Sequence, residues 1–184
     1  GNYKLDTSRS ALYFPSMRNF PDNTEFESLI TISGDEPGSL IRSVTPTAEF
    51  VTVRTHQSFI RLPDLKFAQR DFHPRSGGMS VSYTDYAAPL GEAMTKKILK
   101  RHRLQKKFPD RAVSDPIKPI IYYLDPGTPE PIRSALLDGA RWWASAFEAA
   151  GFSNAYKVEM LPEGADPMDV RYNMINWVHR STRD

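Results

Sequence analysis

The sequence predicts an α+β protein, an antiparallel β-rich N-terminal module followed by a small βαββ lobe. Three observations predict it. Up to about Leu62, apolar and β-branched residues alternate with polar ones at period two. After Thr128 a long apolar stripe recurs at helical spacing. A short, unbroken apolar run precedes that stripe and two strand-like runs follow it. The division falls near residue 115, giving a module over 1–115 and the start of a second domain over 116–184.

In the module, "SALYFPS" (Ser10–Ser16) is an aromatic, strand-like run. "EFESLITIS" (Glu25–Ser33) places Phe26, Ser28, Ile30 and Ile32 on one face and Glu25, Glu27, Leu29 and Thr31 on the other. "AEFVTVRTHQSFIRL" (Ala48–Leu62) sets Phe50, Thr52 and Arg54 against Val51, Val53 and Thr55. Such alternation is the pattern of strands. Gly34, Pro37 and Gly38 punctuate the link between the last two runs, so the sheet is expected to be antiparallel.

The middle is less regular. "HPRSGGMSVSY" (His73–Tyr83) reads as a turn entering a strand, and "DYAAPLGEAM" (Asp85–Met94) as a loop. "TKKILKRHRLQKKF" (Thr95–Phe108) holds seven Lys or Arg and one His. Its expected form is a short helical turn followed by a strand. "FPDRAVSDPIKP" (Phe108–Pro119), with three prolines, is a connector.

In the lobe, "PIIYYLDPG" (Pro119–Gly127) is a strand closed by Asp125, Pro126 and Gly127. A helix follows. Thr128 is its expected N-cap, with Pro129 and Pro131 in the first turn. Ile132, Ala135, Leu136, Gly139, Trp143, Ala146, Phe147 and Ala150 form the predicted stripe, with Arg133, Arg141 and Glu148 opposite. One of Trp142 and Trp143 is expected in the core and one beneath a neighbouring element. Gly151 suits the left-handed residue that ends a helix. Ala155–Leu161 and Asp169–Val178 read as strands. Strand, helix, strand implies a right-handed crossover joining parallel strands.

Composition narrows the function. The 184 residues are 40% apolar and 25% charged, which is globular rather than disordered. A net charge of +2 does not demand a polyanionic partner. No apolar run is long enough to span a membrane. The absence of cysteine removes disulfides, thiolate metal sites and a cysteine nucleophile.

Chemistry-bearing patterns are sparse. His56, His73, His102 and His179 lack the i,i+4 spacing of a helical zinc motif. Gly77-Gly78 reads as a turn before it reads as an anion cradle. Lys96–Lys107 reads as a solvated face with long stems over apolar surface, against the alternative of a phosphate-binding patch. Asp125, before Pro-Gly, reads as an Asx-turn residue rather than a catalytic carboxylate. Asp166, Asp169 and Arg171 stay ambiguous, and Tyr83, Tyr86 and the tryptophans are candidates for a binding face. No catalytic residue and no metal ligand is assigned within the chain.

The stretch from Lys118 to Trp177 resembles the opening of the catalytic domain in a family of large exported bacterial zincin-like metallopeptidases. The matching strings are "KPIIYYLD" (Lys118–Asp125), "WASAFEAAGF" (Trp143–Phe152) and "DPMDVRY" (Asp166–Tyr172) continuing to Trp177, with "RHRLQKKFP" (Arg101–Pro109) as the approach. The earlier β-rich part resembles the uncharacterised domain that precedes that peptidase unit. The resemblance implies a parent zinc-dependent peptidase that is exported and acts on protein or peptide, with zinc as cofactor and neither nucleic acid nor a membrane span as partner. Its His-Glu-x-x-His motif would lie beyond Asp184, so this chain alone is expected to be inactive. The resemblance also implies that Val170–Val178 is not a fully paired central strand, and that the sheet edge there pairs with a second copy or is shielded by the chain's own tail. The alternative reading is a stand-alone peptide- or glycan-binding β module.

Overall fold

The computed structural model describes residues 2–35, 38–64 and 66–179. The fold is α+β and mostly strand. It divides into two compact units. One comprises residues 1–61 and 162–172, the other 62–161 and 173–184.

The first unit is an antiparallel three-stranded sheet in the order β1-β2-β3, with β1 at Tyr3–Asn19, β2 at Asn23–Gly34 and β3 at Phe50–Ile60. The long β1 is broken by two bulges, between Asp6 and Ala11 and between Tyr13 and Arg18. A serine fills the lost ladder bond at each. Ser10 Oγ accepts from the Thr31 amide at 3.0 Å, and Ser16 Oγ from the Glu27 amide at 3.1 Å. Each hydroxyl donates back to a carbonyl of its own bulge, Asp6 or Tyr13. The β2–β3 connection carries a six-residue helix, α1 (Ser39–Val44), which the alternation pattern did not predict. Pro37 lies outside the described residues.

The cross-strand register fixes which side chains share a face. Glu25, Glu27, Leu29 and Thr31 stand opposite Ser58, His56, Arg54 and Thr52. Phe26, Ile30 and Ile32 stand opposite Gln57, Val53 and Val51. The two faces are those the alternation predicts. Yet the most buried side chains lie on the polar one: Glu25 is 4% exposed and Thr31 2%. The segment 162–172 explains part of this. Asn23 Nδ2 donates to the Met168 carbonyl at 2.9 Å, and Asn23 Oδ1 accepts from the Val170 amide at 3.0 Å.

The second unit opens with a 3-10 turn, Pro74–Ser76, and the hairpin of β4 (Ser80–Thr84) with β5 (Thr95–Leu99). The helical turn expected near Thr95 is absent. Thr95–Leu99 is strand throughout, because β4 supplies a ladder partner for each residue from Thr95 to Leu99. From Lys100 the chain is irregular.

The lobe holds a parallel sheet in the order β7-β6-β8, with β6 at Ile120–Leu124, β7 at Tyr156–Met160 and β8 at Asn173–Ile175. The parallel crossover is as expected, and β6 is the central strand. The last strand is shorter than the run Asp169–Val178. Asp169 delays its start, because its carboxylate accepts the Arg171 amide at 3.0 Å and the Arg171 guanidinium at 2.6 Å, holding residues 169–172 in a turn. Among the described residues the buried apolar core lies in this unit: Ile120, Leu124, Ala155, Val158 and Leu161.

The predicted single helix is two, α2 (Ile132–Arg141) and α3 (Ala144–Ala149). Between them, Trp143, Ser145 and Ala146 donate to carbonyls three residues back, which overwinds the backbone and rotates the stripe. The half-buried row is Ile132, Leu136, Ala140, Ala144 and Phe147. Trp143 falls outside it. Both tryptophans are therefore surface residues, Trp142 at 79% and Trp143 at 65% exposure, and neither is in the core. Arg141, expected to face away from the sheet, donates from Nε to the Val158 carbonyl on β7 at 3.2 Å. Thr128 is not the N-cap. It is wholly buried and its hydroxyl donates to the Asp125 carbonyl, while Pro131 occupies the cap position. Gly151 does end α3 with φ +82°. A Cβ there would sit 2.5 Å from the Ala112 carbonyl oxygen.

Candidate functional site

The second unit carries a cavity of about 250 Å³ lined by His102, Ile120, Tyr122, Trp143, Phe147 and Tyr156. It arises from the local sequence. Alternation on β6 turns Ile120 and Tyr122 to the same side. The parallel register places Tyr156 beside Ile120. On α3, Phe147 stacks on Tyr156, with centroids 5.3 Å apart and planes 10° apart. Tyr122 lies 5.9 Å from Tyr156. His102 meets Tyr122 edge-on, and its Nε2 is 3.1 Å from the phenol oxygen. Burial, then the charge of Tyr122, pushes the Tyr156 phenol above its ordinary pKa. The walls are aromatic and the polar groups few. Such a site suits an apolar or planar group. No carboxylate is among its lining residues, and its one polar pair is His102 with the Tyr122 phenol.

The first unit holds a polar cluster. Glu25 on β2 accepts hydrogen bonds from Asn23 Nδ2 at 2.5 Å and Ser58 Oγ at 2.5 Å, and its Oε2 lies 2.7 Å from His56 Nε2. The other His56 nitrogen is 3.7 Å from Glu27, which pairs with Arg54. Burial alone would raise the Glu25 carboxyl. The hydrogen bonds from Ser58, Asn23 and His56, together with the imidazole charge, outweigh it and hold the carboxyl below its ordinary value. Histidine and serine both address the carboxylate, so the proton relay of a serine nucleophile is not built here. This cluster was missed from the sequence. Alternation puts His56 and Ser58 on one face, but only the register sets them against Glu25.

The remaining candidates lie apart. His73 caps the 3-10 turn, its Nδ1 accepting from the Arg75 amide. His179 is exposed and outside any element. Gly77 (φ +67°) and Gly78 form the turn into β4. Asp125 accepts from the Gly127 amide at 2.8 Å, an Asx turn. Asp169 is paired with Arg171, whose hydrogen bonds hold its carboxyl low. Asp166 lies 3.7 Å from Arg18. Tyr83 and Tyr86 are exposed. The basic run is dispersed among separate partners. Lys96 pairs with Glu92, Arg103 with Asp64, Lys106 binds the Arg111 and Ala112 carbonyls, and Arg101 donates to the Ala68 carbonyl.

Among the described residues no group of His, Asp or Glu could hold a metal ion, and no helix is long and apolar enough to cross a membrane. No curated protein and no solved structure matches the chain. A family model described as "Domain of unknown function (DUF5117)" matches residues 1–107, from the start of the chain to the end of the basic run. That match covers more than half of the 184 residues, and the protein belongs to the DUF5117 family.

Proposed function

We propose that this chain is the non-catalytic N-terminal portion of an exported zinc-dependent metallopeptidase, whose parent protein hydrolyses peptide bonds. The observation that carries the reading is the all-parallel β7-β6-β8 sheet with its helical crossover, built from the strings that resemble the start of a zincin catalytic domain. In support, β8 pairs with β6 on one side, and among the described residues no strand pairs with its other side. The β-rich part belongs to a domain family of unknown function, in keeping with an uncharacterised module ahead of a peptidase unit.

Zinc, when bound, would lower the pKa of its water and polarise the scissile carbonyl. The described residues do not fit such an ion, since no set of donors converges among them. No catalytic step is assigned to them, and the ligands belong to sequence after Asp184. The test is a longer chain continued past Asp184, assayed for bound zinc and for cleavage of a peptide library. Zinc at one per chain with cleavage supports the reading. A downstream His-Glu-x-x-His segment that folds without binding zinc would refute it.

A second reading, a peptide- or glycan-binding module, is favoured by the exposed Trp143 in the wall of the aromatic cavity. Calorimetric titration of the 184-residue chain with peptides and oligosaccharides tests it. Binding that Trp143→Ala abolishes supports this reading, and no heat from either class ends it.

A further inference from the structure

The register of the first sheet separates charge from apolar surface. The ladder residues of one face include Lys4, Asp6, Arg18, Glu25, Glu27, Arg54 and His56. On the other, the ladder residues of β1 are Tyr3, Leu5, Leu12 and Asn19. Those of β2 are Thr24, Phe26, Ser28, Ile30, Ile32 and Gly34, and those of β3 are Val51, Val53, Thr55, Gln57 and Phe59. None of these is charged near neutral pH. This second face is open: Leu5 is 57% exposed, Leu12 47%, Val53 44% and Phe59 67%. Phe26 and Phe59 stack flat, 5.8 Å apart and inclined by 13°, and so widen it into a smooth surface.

We propose that this face is a dimerisation surface whose occupant is the same face of a second copy, the two sheets packing as the halves of a β-sandwich. Two arguments select that occupant. The first is charge. A face with no charged ladder residue offers a charged helix, nucleic acid or acidic peptide no ion pair. It complements another flat, uncharged, apolar sheet face, and an isologous pairing supplies one without like-charge contact. The second is area. The exposed Leu5, Leu12, Val53 and Phe59, with the half-buried Phe26, Ile30, Ile32 and Val51, offer roughly 600 Å² per copy, so pairing removes on the order of 1,200 Å², the lower end of specific interfaces. Facing sheets sit about 10 Å apart, the depth that two layers of such side chains fill.

The test is sedimentation of the 184-residue chain from micromolar to hundred-micromolar concentration. A monomer–dimer equilibrium is expected. Val53→Lys weakens it at least ten-fold, because it sets two ammonium groups in an apolar seam. Leu40→Lys, on α1 and 82% exposed, leaves it unchanged. Should Val53→Lys fail to fold, Val53→Cys decides, since the chain has no other cysteine and a spin label there reports one distance across the seam. A chain monomeric at every concentration overturns the proposal. So does a dimer indifferent to Val53→Lys, which would rest on another surface such as the tryptophans, or a dimer whose labels show no dipolar coupling.

Discussion

Glu25→Ala tests how the first sheet is held. The carboxylate is 4% exposed and takes three hydrogen bonds at 2.5 to 2.7 Å, from Asn23, Ser58 and His56. Hydrogen bonds to a charged group contribute about 1.5–3 kcal/mol each, less where the freed donor can reach water. Asn23 keeps its bond to the Met168 carbonyl, and His56 is 39% exposed, so both losses are partial. The expected cost is about 3 kcal/mol. Glu25→Gln keeps an acceptor and should cost about 1 kcal/mol. The sign of the pH dependence follows from the lowered pKa of Glu25. Its contribution is present above the unfolded value of 4.5 and is lost as pH falls through the folded value. The assay is urea unfolding followed by far-UV circular dichroism for wild type and both variants at several pH values. The difference between wild type and Glu25→Gln should shrink as pH falls below the unfolded pKa of Glu25. A Glu25→Ala cost below about 0.5 kcal/mol, or a Gln difference that does not change with acid, would refute the reasoning.

Three further outcomes are expected in the same urea assay. Gly151→Ala should destabilise by at least about 2 kcal/mol, because φ is +82° and the added carbon meets the Ala112 carbonyl; a neutral effect would mean the turn relaxes freely. Leu124→Ala, at a fully buried side chain on the central strand, should cost about 3–4 kcal/mol, and a loss under 1 kcal/mol would show that the lobe is not built around it. Trp142→Ala should stay within about 0.5 kcal/mol, whereas Phe147→Ala, which loses its stack on Tyr156, should cost about 2 kcal/mol. The reverse ranking would restore the tryptophan to the core.

Much of the fold was legible in local pattern. Strict alternation marked β2 and β3 and assigned their faces correctly, because side chains of an extended chain must alternate. The apolar run Ile120–Leu124, closed by Asp125-Pro-Gly, marked β6 and its turn. The glycine ending α3 was legible because few other residues accept its backbone angle. What failed turned on events a few residues long. A shift to three-residue hydrogen bonding near Trp142 rotated the helical stripe, and one carboxylate, Asp169, closed a turn where alternation read strand. The cavity was visible only as its separate aromatics, and the Glu25 cluster was not visible at all.

The sequence by itself determined the strand periodicity of β2 and β3 and the parallel crossover of the lobe, since these follow from residue type and near-neighbour spacing. Only the tertiary structure decided which face of the first sheet is covered, that residues 162–172 join that sheet, and that both tryptophans stand in solvent. The reason is that register and burial depend on partners far away in the chain. Asn23 reaches Met168 and Val170, and no local pattern around Asn23 encodes that distance.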